Sequence, residues 1–578
     1  MYNIHTKLSV PQFCINMLYY LLFSVIEMWW QMVVVCACAG IILADQTDWR
    51  IVNIDQGPVK GYRAPHGNIV FYGIPFATTP TGPNKFKPPL PPPTWNGTFE
   101  AIEKFVICPQ QTSLHVSSEN LIRETKDFFL NPQEDCLITN VYVPDTEETN
   151  LSVVVYFYGG AYQLGYSNIK TAIHLLNSKE IIIVDFNYRL GAHGFLCLGT
   201  EDIPGNAGMK DQVALLRWVQ RNIASFGGNP NDVTITGWSA GASSVDLLMT
   251  SRIAKGLFHK VIPESGPSLS AFSVQIDPVA NAKAIAKMLD FEDVDNIQAL
   301  EDFYKNVELE KLYSLSFIND SDSGLLFAPC IERYLGQEMF LDESPENILK
   351  SGNYSKVPML YGISEMEGMF RLPNFEGWKN LMNENFTEFI PCNLKFKSEE
   401  ERDNVTLEIK RFYFGDEPVS EKNIMQYVQY FGDTLFIYGT ARAAKIQVEA
   451  GNDQIYLYEY GYADENSDYI IHTQTRGATH CAQTNAVLDL ENEENLSDDY
   501  KKMKVLMRQL WINFIKTGRP VPEGSPLTPW PPVGKNGSPF MFIDRELTLK
   551  EGFVQDRALF WDGIYEKYYR EPIAPYPF

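Results

Sequence analysis

Positive charge is in short supply: 48 Lys and Arg stand against 72 Asp and Glu, a net charge of -24 over 578 residues. Binding to nucleic-acid phosphates rests on clustered Lys and Arg, so nucleic acid is excluded as a partner, and the acidity serves chiefly solubility. The eight histidines and nine cysteines contain no H-E-x-x-H and no C-x-x-C. These are the ligand spacings of common zinc sites, and no metal is expected. Gly159 to Gly165 is glycine-rich but lacks the Gly-Lys-Ser/Thr ending of a phosphate loop, which removes a nucleotide site; no cofactor is expected. No repeat is present, and the one low-complexity patch, the proline run Lys87 to Thr94, reads as an ordinary surface segment rather than a polyproline ligand. The acidic stretch Asp489 to Asp499 reads as a solvated loop.

What is abundant is core material. Apolar residues make up 45% and aromatics 13% of the chain, enough for a large interior. Short buried strand-like runs alternate with periodic helices, an α/β signature. Asp211 to Phe226 places Leu216, Val219, Ile223 and Phe226 on one face with Gly227 as a stop, and Ser497 to Lys516 carries Met503, Leu506, Met507, Leu510 and Phe514 at helical spacing.

Gly237 to Gly241 is a G-x-S-x-G pentapeptide between the apolar run Val233 to Thr236 and the helix-like stretch Ala242 to Met249. That context puts Ser239 on a strand-to-helix elbow. An elbow serine needs a base to take its proton and a third group to orient that base. The acid expected is Glu367, just after the strand-like run Val357 to Leu360, and the base is His480, in a polar turn downstream of Ile455 to Tyr460. Loops at the carboxyl ends of strands are where such sheets keep catalytic groups. The run Val153 to Tyr158 followed by Gly159, Gly160 and Ala161 supplies oxyanion donors: the amides of Gly160 and Ala161, joined by that of Ala240.

From about Val52 onward the chain resembles the type-B carboxylesterases, the carboxylesterase/cholinesterase family of α/β-hydrolases. The stretches that carry the likeness are Phe71-Tyr-Gly-Ile-Pro-Phe-Ala77, Glu134-Asp-Cys-Leu137, Asn187-Tyr-Arg-Leu-Gly191, Gly205-Asn-Ala-Gly-Met-Lys-Asp-Gln212 and Phe226-Gly-Gly-Asn-Pro230, in this order. The resemblance implies a central, mostly parallel twisted sheet flanked by helices, a single domain over residues 45–578, and a small-molecule ester substrate. It also implies Ser239, Glu367 and His480 as the catalytic triad, Ser265 as a serine behind it, and Phe272 in the acyl pocket. Arg189 and Asp211 are implied as a structural salt bridge and Cys108–Cys136 as a disulfide. The other mature cysteines, Cys197, Cys330, Cys392 and Cys481, allow several pairings or free thiols. Cys481 adjoins His480, and two readings stand: its modification impairs activity, or it is an inert buried thiol.

Departures from the family bear on substrate. Trp238 precedes the nucleophile where cholinesterases carry glutamate, and no tryptophan lies between Cys108 and Cys136, so a choline ester loses its main cation-π partner. An uncharged ester is expected. Gln483 replaces a usual acidic residue, and Tyr158 a histidine of many carboxylesterases. The flavour is that of insect esterases, including those acting on hormone, odorant or pheromone, and xenobiotic esters. The competing class is a catalytically impaired, cholinesterase-like adhesion or ligand-sequestering protein, in which the Trp238 indole obstructs the serine.

Residues 1–44 read as an N-terminal extension and signal peptide, with a signal anchor as the other reading. The apolar segment Met17 to Ala44 is interrupted by Glu27 and Gln31, and the C-terminus carries neither a GPI-type tail nor a retrieval signal. A secreted protein with no stable membrane anchor is expected. Sequons at Asn96, Asn150, Asn319, Asn353, Asn385, Asn404, Asn495 and Asn536 fit that compartment.

Overall fold

The central strands are apolar at nearly every position, the mark of strands covered on both faces. In the computed structural model, which describes residues 49–102, 106–111, 132–315, 321–489 and 493–576, they belong to one large sheet. Its strands are β1 (Trp49–Ile54), β2 (Gly57–Arg63), β3 (Ile69–Pro75), β4 (Phe99–Glu100), β5 (Ile138–Val143), β6 (Leu151–Phe157), β7 (Ile181–Phe186), β8 (Gly228–Trp238), β9 (Lys260–Glu264), β10 (Met359–Ser364), β11 (Ile455–Tyr460), β12 (Phe540–Ile543) and β13 (Leu547–Lys550). The spatial order is β1-β2-β3-β5-β7-β6-β8-β9-β10-β11-β12-β13, with β4 beside β2. From β7 through β12 neighbours are parallel. Antiparallel pairs, β2/β3, β3/β5, β5/β7 and β12/β13, flank this parallel middle.

Alternation along β6 sorts its side chains into two cores. Val153, Val155 and Phe157 pack in one cluster with Val184 and Phe186. Val154 and Tyr156 pack in the other with Ile181 and Ile183. The first face is covered by α1 (Ala207–Asn222) and α2 (Ala240–Thr250). Further along the chain lie α3 (Ile424–Gly432), α4 (Tyr438–Glu449), α5 (Ala482–Val487), α6 (Asp498–Thr517) and α7 (Gln555–Tyr568). Met503, Met507, Leu510 and Phe514 of α6 cover the second face. A third, aromatic cluster joins Phe272, Phe375, Tyr427, Phe431, Phe436 and Trp561. Residues Ile51 to Phe578 form one compact unit. Among the described residues no helix is long and apolar enough to cross a membrane.

Several boundaries depart from the sequence reading. The strand expected at Val357 to Leu360 is Met359–Ser364: Pro358 has no N-H to give a ladder and uses only its carbonyl, which accepts from Val261 N at 3.1 Å. The helix expected from Asp211 begins at Ala207, and its last stretch, Ile223–Phe226, tightens to a 3-10 turn before Gly227. The acidic stretch after Asp489 is not merely solvated. Asp489 and Glu493 both pair with Arg508, and Glu493 with Lys504 as well, anchoring it to α6. The expected signal segment and Asn319 lie outside the described residues.

Candidate active site

Ser239 sits between the end of β8 and the start of α2 with φ 56° and ψ -126°, a backbone state that costs on the order of 1 to 3 kcal/mol. Its surroundings explain the small residues around it. A Cβ on Gly241 would lie 2.2 Å from the Phe157 carbonyl oxygen, and one on Gly266 would lie 2.1 Å from that of Ser239. The Ser239 N-H donates to the Glu264 carbonyl at 2.9 Å, tying the elbow to β9.

Glu367 follows β10 and opens a 3-10 stretch, Glu367–Asn374. It is fully buried, and each carboxylate oxygen is engaged. His480 Nδ1 lies 2.6 Å from Oε2, which assigns the donated proton to Nδ1. Oε1 accepts from the Ser265 hydroxyl at 2.5 Å and from Ser364 N-H at 2.8 Å. Gln483 closes the ring: its Nε2 donates to Ser265 Oγ at 2.6 Å and its Oε1 accepts from Ser364 Oγ at 2.5 Å. The structure therefore brings Ser265 to the acid, and gives Gln483 a neutral bridging role that an acidic side chain, having no donor when ionised, would not reproduce. Burial works against a charge on His480, but Cys481 beside it and the Glu367 carboxylate prevail, so its pKa lies above that of free imidazole. Cys481 itself is buried.

The glycine-rich segment after β6 turns sharply, with positive φ at Gly160 (116°), Ala161 (54°) and Tyr162 (58°). Among the described residues the backbone N-H groups of Gly160 and Ala161 donate to no backbone carbonyl, and that of Ala240 opens α2, where helical N-H groups have no intrahelical partner. Tyr158 pins the turn. Its ring stacks on Tyr188 at 4.4 Å, and the two exchange hydroxyl-to-backbone bonds in both directions.

Aromatic rings wall the imidazole. Phe436 stacks on His480 at 4.1 Å with planes 21° apart, and Phe370 lies at 5.2 Å. Phe272 contacts Phe436 edge-on at 5.6 Å. Phe436 belongs to a π-helical turn, Asp433–Ile437, a geometry frequent at functional sites. The turn is fastened by Ser270 Oγ donating to Leu435 O at 2.6 Å and by Asp433 bonded to Tyr413 and Arg557. The sequence reading missed Phe436, Phe370, Ser364 and Lys170. Only Phe370, three residues after the acid, had a positional signal; Phe436 is one of 35 phenylalanines in an ordinary helical pattern. Trp238 is half-buried. Its indole crowds Gly159, where a Cβ would lie 2.8 Å from ring atoms, and carries Lys170 on its face at 4.5 Å.

Supporting structure surrounds this centre. Arg189 and Asp211, both fully buried, pair at 2.7 and 2.8 Å, and Arg189 also donates to the carbonyls of Lys85 and Lys87. Cys108–Cys136 is closed, and the pairing left open by the sequence is Cys197–Cys330. Gly205 lies so close to that second bridge that a Cβ would be 2.6 Å from each sulfur. Cys392 and Cys481 remain thiols. Asn96, Asn150, Asn353, Asn385, Asn404, Asn495 and Asn536 are all exposed. Two His/carboxylate clusters, His174–Asp489–Glu493 and Glu376–Glu421–His472, each already hold a cation, Arg508 with Lys504 in the first and Lys379 in the second. They read as ion-pair networks.

The arrangement has counterparts. The carboxylesterase family matches residues 48–561. The chain is 34% identical over 511 residues to esterase FE4 of Myzus persicae, covering 84% of this chain and 86% of that one. It is 30% identical over 564 residues to a juvenile hormone esterase of Heliothis virescens, covering 91% and 96%. Among solved structures, juvenile hormone esterase from Manduca sexta with OTFP covalently attached matches with a TM-score of 0.78 at 26% identity, over 90% of this chain and 100% of that one.

Proposed function

The chain belongs to the carboxylesterase family and is a carboxylic ester hydrolase with the α/β-hydrolase fold; from that premise we propose that it cleaves uncharged esters through an acyl-enzyme formed on Ser239. The observation that carries the reading is the 2.6 Å contact between Glu367 Oε2 and His480 Nδ1 in a fold that also holds Ser239 on a strained elbow.

In this reading Glu367 keeps the Nδ1 proton in place, leaving Nε2 of His480 to take the Ser239 hydroxyl proton as Oγ bonds to the ester carbonyl carbon. The negative oxygen that forms is met by the N-H groups of Gly160, Ala161 and Ala240, each worth roughly 3 to 4 kcal/mol of barrier. Collapse breaks the bond to the alcohol, which leaves with the proton from His480. Water, deprotonated by the same imidazole, then attacks the acyl carbon and releases the acid and Ser239. The covalently attached OTFP of the Manduca sexta relative supports covalent chemistry in this fold.

The rings of Phe370 and Phe436 against His480, with Phe272 behind Phe436, favour an apolar acyl or alcohol group, with hormone, odorant or pheromone, and xenobiotic esters as the candidate classes. Two disulfides and seven exposed sequons support secretion and glycosylation. Labelling by an alkyl phosphonofluoridate tests the site: one adduct per chain on Ser239 of the folded protein, and none on protein unfolded by heat before the reagent is added, is expected, and an unlabelled Ser239 in folded protein contradicts the reading.

A further inference from the structure

The ammonium nitrogen of Lys170 lies 4.5 Å from the centroid of the Trp238 ring, and Trp238 is bonded directly to the nucleophile Ser239. The same nitrogen donates to Asn485 Oδ1 at 2.9 Å, on the short helix α5 that follows His480. The lysine thus links the residue that precedes Ser239 to the helix that follows His480. The indole in turn rests against Gly159, next to the proposed oxyanion donors. Lys170 forms no ion pair among the described residues. The nearby Glu264 carboxyl is occupied by Tyr458 and Thr484 hydroxyls, and burial lifts its pKa to about 7. Burial also brings Lys170 down to about 8, which leaves it cationic near pH 7.

A cation clamped on an indole is committed to that face and cannot swing away from the site without losing the contact. We propose that Lys170 is a specificity-determining residue that makes the subsite beside Ser239 repel cationic esters and favour esters bearing a carboxylate. This rests on the esterase reading and revises its substrate class from uncharged esters to uncharged and, preferentially, anionic ones: the positive charge held on the Trp238 ring stands next to the chain segment that carries Ser239.

The test is kcat/KM at pH 7 for three acetates of matched size: acetylcholine, 3,3-dimethylbutyl acetate and 4-acetoxybutanoate. For two unit charges separated by about 8 Å, an effective dielectric of about 20 to 40 gives a discrimination of roughly 5- to 30-fold. The native protein is expected to prefer the neutral ester over the cationic one, and the anionic over the neutral, by factors in that range. Both ratios collapse toward one in Lys170→Met and persist in Lys170→Arg. Native ratios near one, or ratios that Lys170→Met leaves unchanged, overturn the proposal. If both variants fail to fold, the native ratios decide through salt: a shrinking preference as ionic strength rises supports the proposal, and a salt-independent one overturns it. Failure of the native protein to hydrolyse even the neutral ester overturns the esterase reading instead.

Discussion

Replacing Glu367 by glutamine keeps the side chain's shape and turns one carboxylate oxygen into an NH2. The position of Oε1 receives two donors, the Ser265 hydroxyl at 2.5 Å and Ser364 N-H at 2.8 Å. An NH2 group cannot accept from either, so the amide oxygen must take that position. The NH2 then faces His480 Nδ1, now at the 2.6 Å contact, and Nδ1 has to accept. Neutral His480 is left with its proton on Nε2, the nitrogen that in the proposed mechanism receives the serine proton. A wrong-tautomer lesion of this kind lowers kcat by about 10⁴, or about 5.5 kcal/mol of barrier. The acid limb moves too. As the proposed base His480 acts only when neutral, and Glu367 helps to raise its pKa, so native activity is expected to rise with pH above the usual imidazole value of about 6.5. Without the carboxylate that limb shifts to lower pH. The assay is kcat for a short aryl ester from about pH 5 to 10, with circular dichroism to establish the fold. A folded Glu367→Gln within about tenfold of native kcat, with an unmoved acid limb, would refute the reasoning.

Three further outcomes follow from named contacts. Phe436→Leu removes the ring stacked on His480, worth about 0.5 to 1.5 kcal/mol. It is expected to lower kcat roughly 2- to 10-fold with little change in KM, as stopped-flow hydrolysis would show. Arg189→Met strands the buried Asp211, and a loss of about 3 to 5 kcal/mol is expected in urea unfolding; a loss near zero would show that the pair is dispensable. Gly266→Ala forces a Cβ against the Ser239 carbonyl oxygen, so the yield of folded protein and phosphonate labelling should both fall.

The parts that the sequence made legible are those whose chemistry is local. The elbow is written in consecutive residues, because Gly237, Gly241 and a following helix are all needed within one turn of chain. The central strands were legible because burial on both faces leaves an uninterrupted apolar run, as in Val153 to Phe157. Other features depend on contacts across hundreds of residues. Gln483 reaches Ser265 across 218 positions, so its role as a donor closing the ring around Glu367 has no trace near either residue. Phe436 meets His480 from a π-helical turn inside an otherwise helical stretch, and the helical pattern of the sequence carries no signal of that turn. Asp489 and Glu493 look solvent-bound in an acidic run, and are claimed by Arg508 one helix away. Lys170 lies in a polar turn with no motif, and its meaning comes from the indole beneath it.

The most direct test of the central claim is the pre-steady-state release of alcohol from a short-chain aryl ester by the native protein and by Ser239→Ala, at known protein concentration. An acyl-enzyme on Ser239 predicts a rapid burst of close to one alcohol per native chain and none from Ser239→Ala. A burst that survives in Ser239→Ala, or steady turnover unaffected by the substitution, would contradict it.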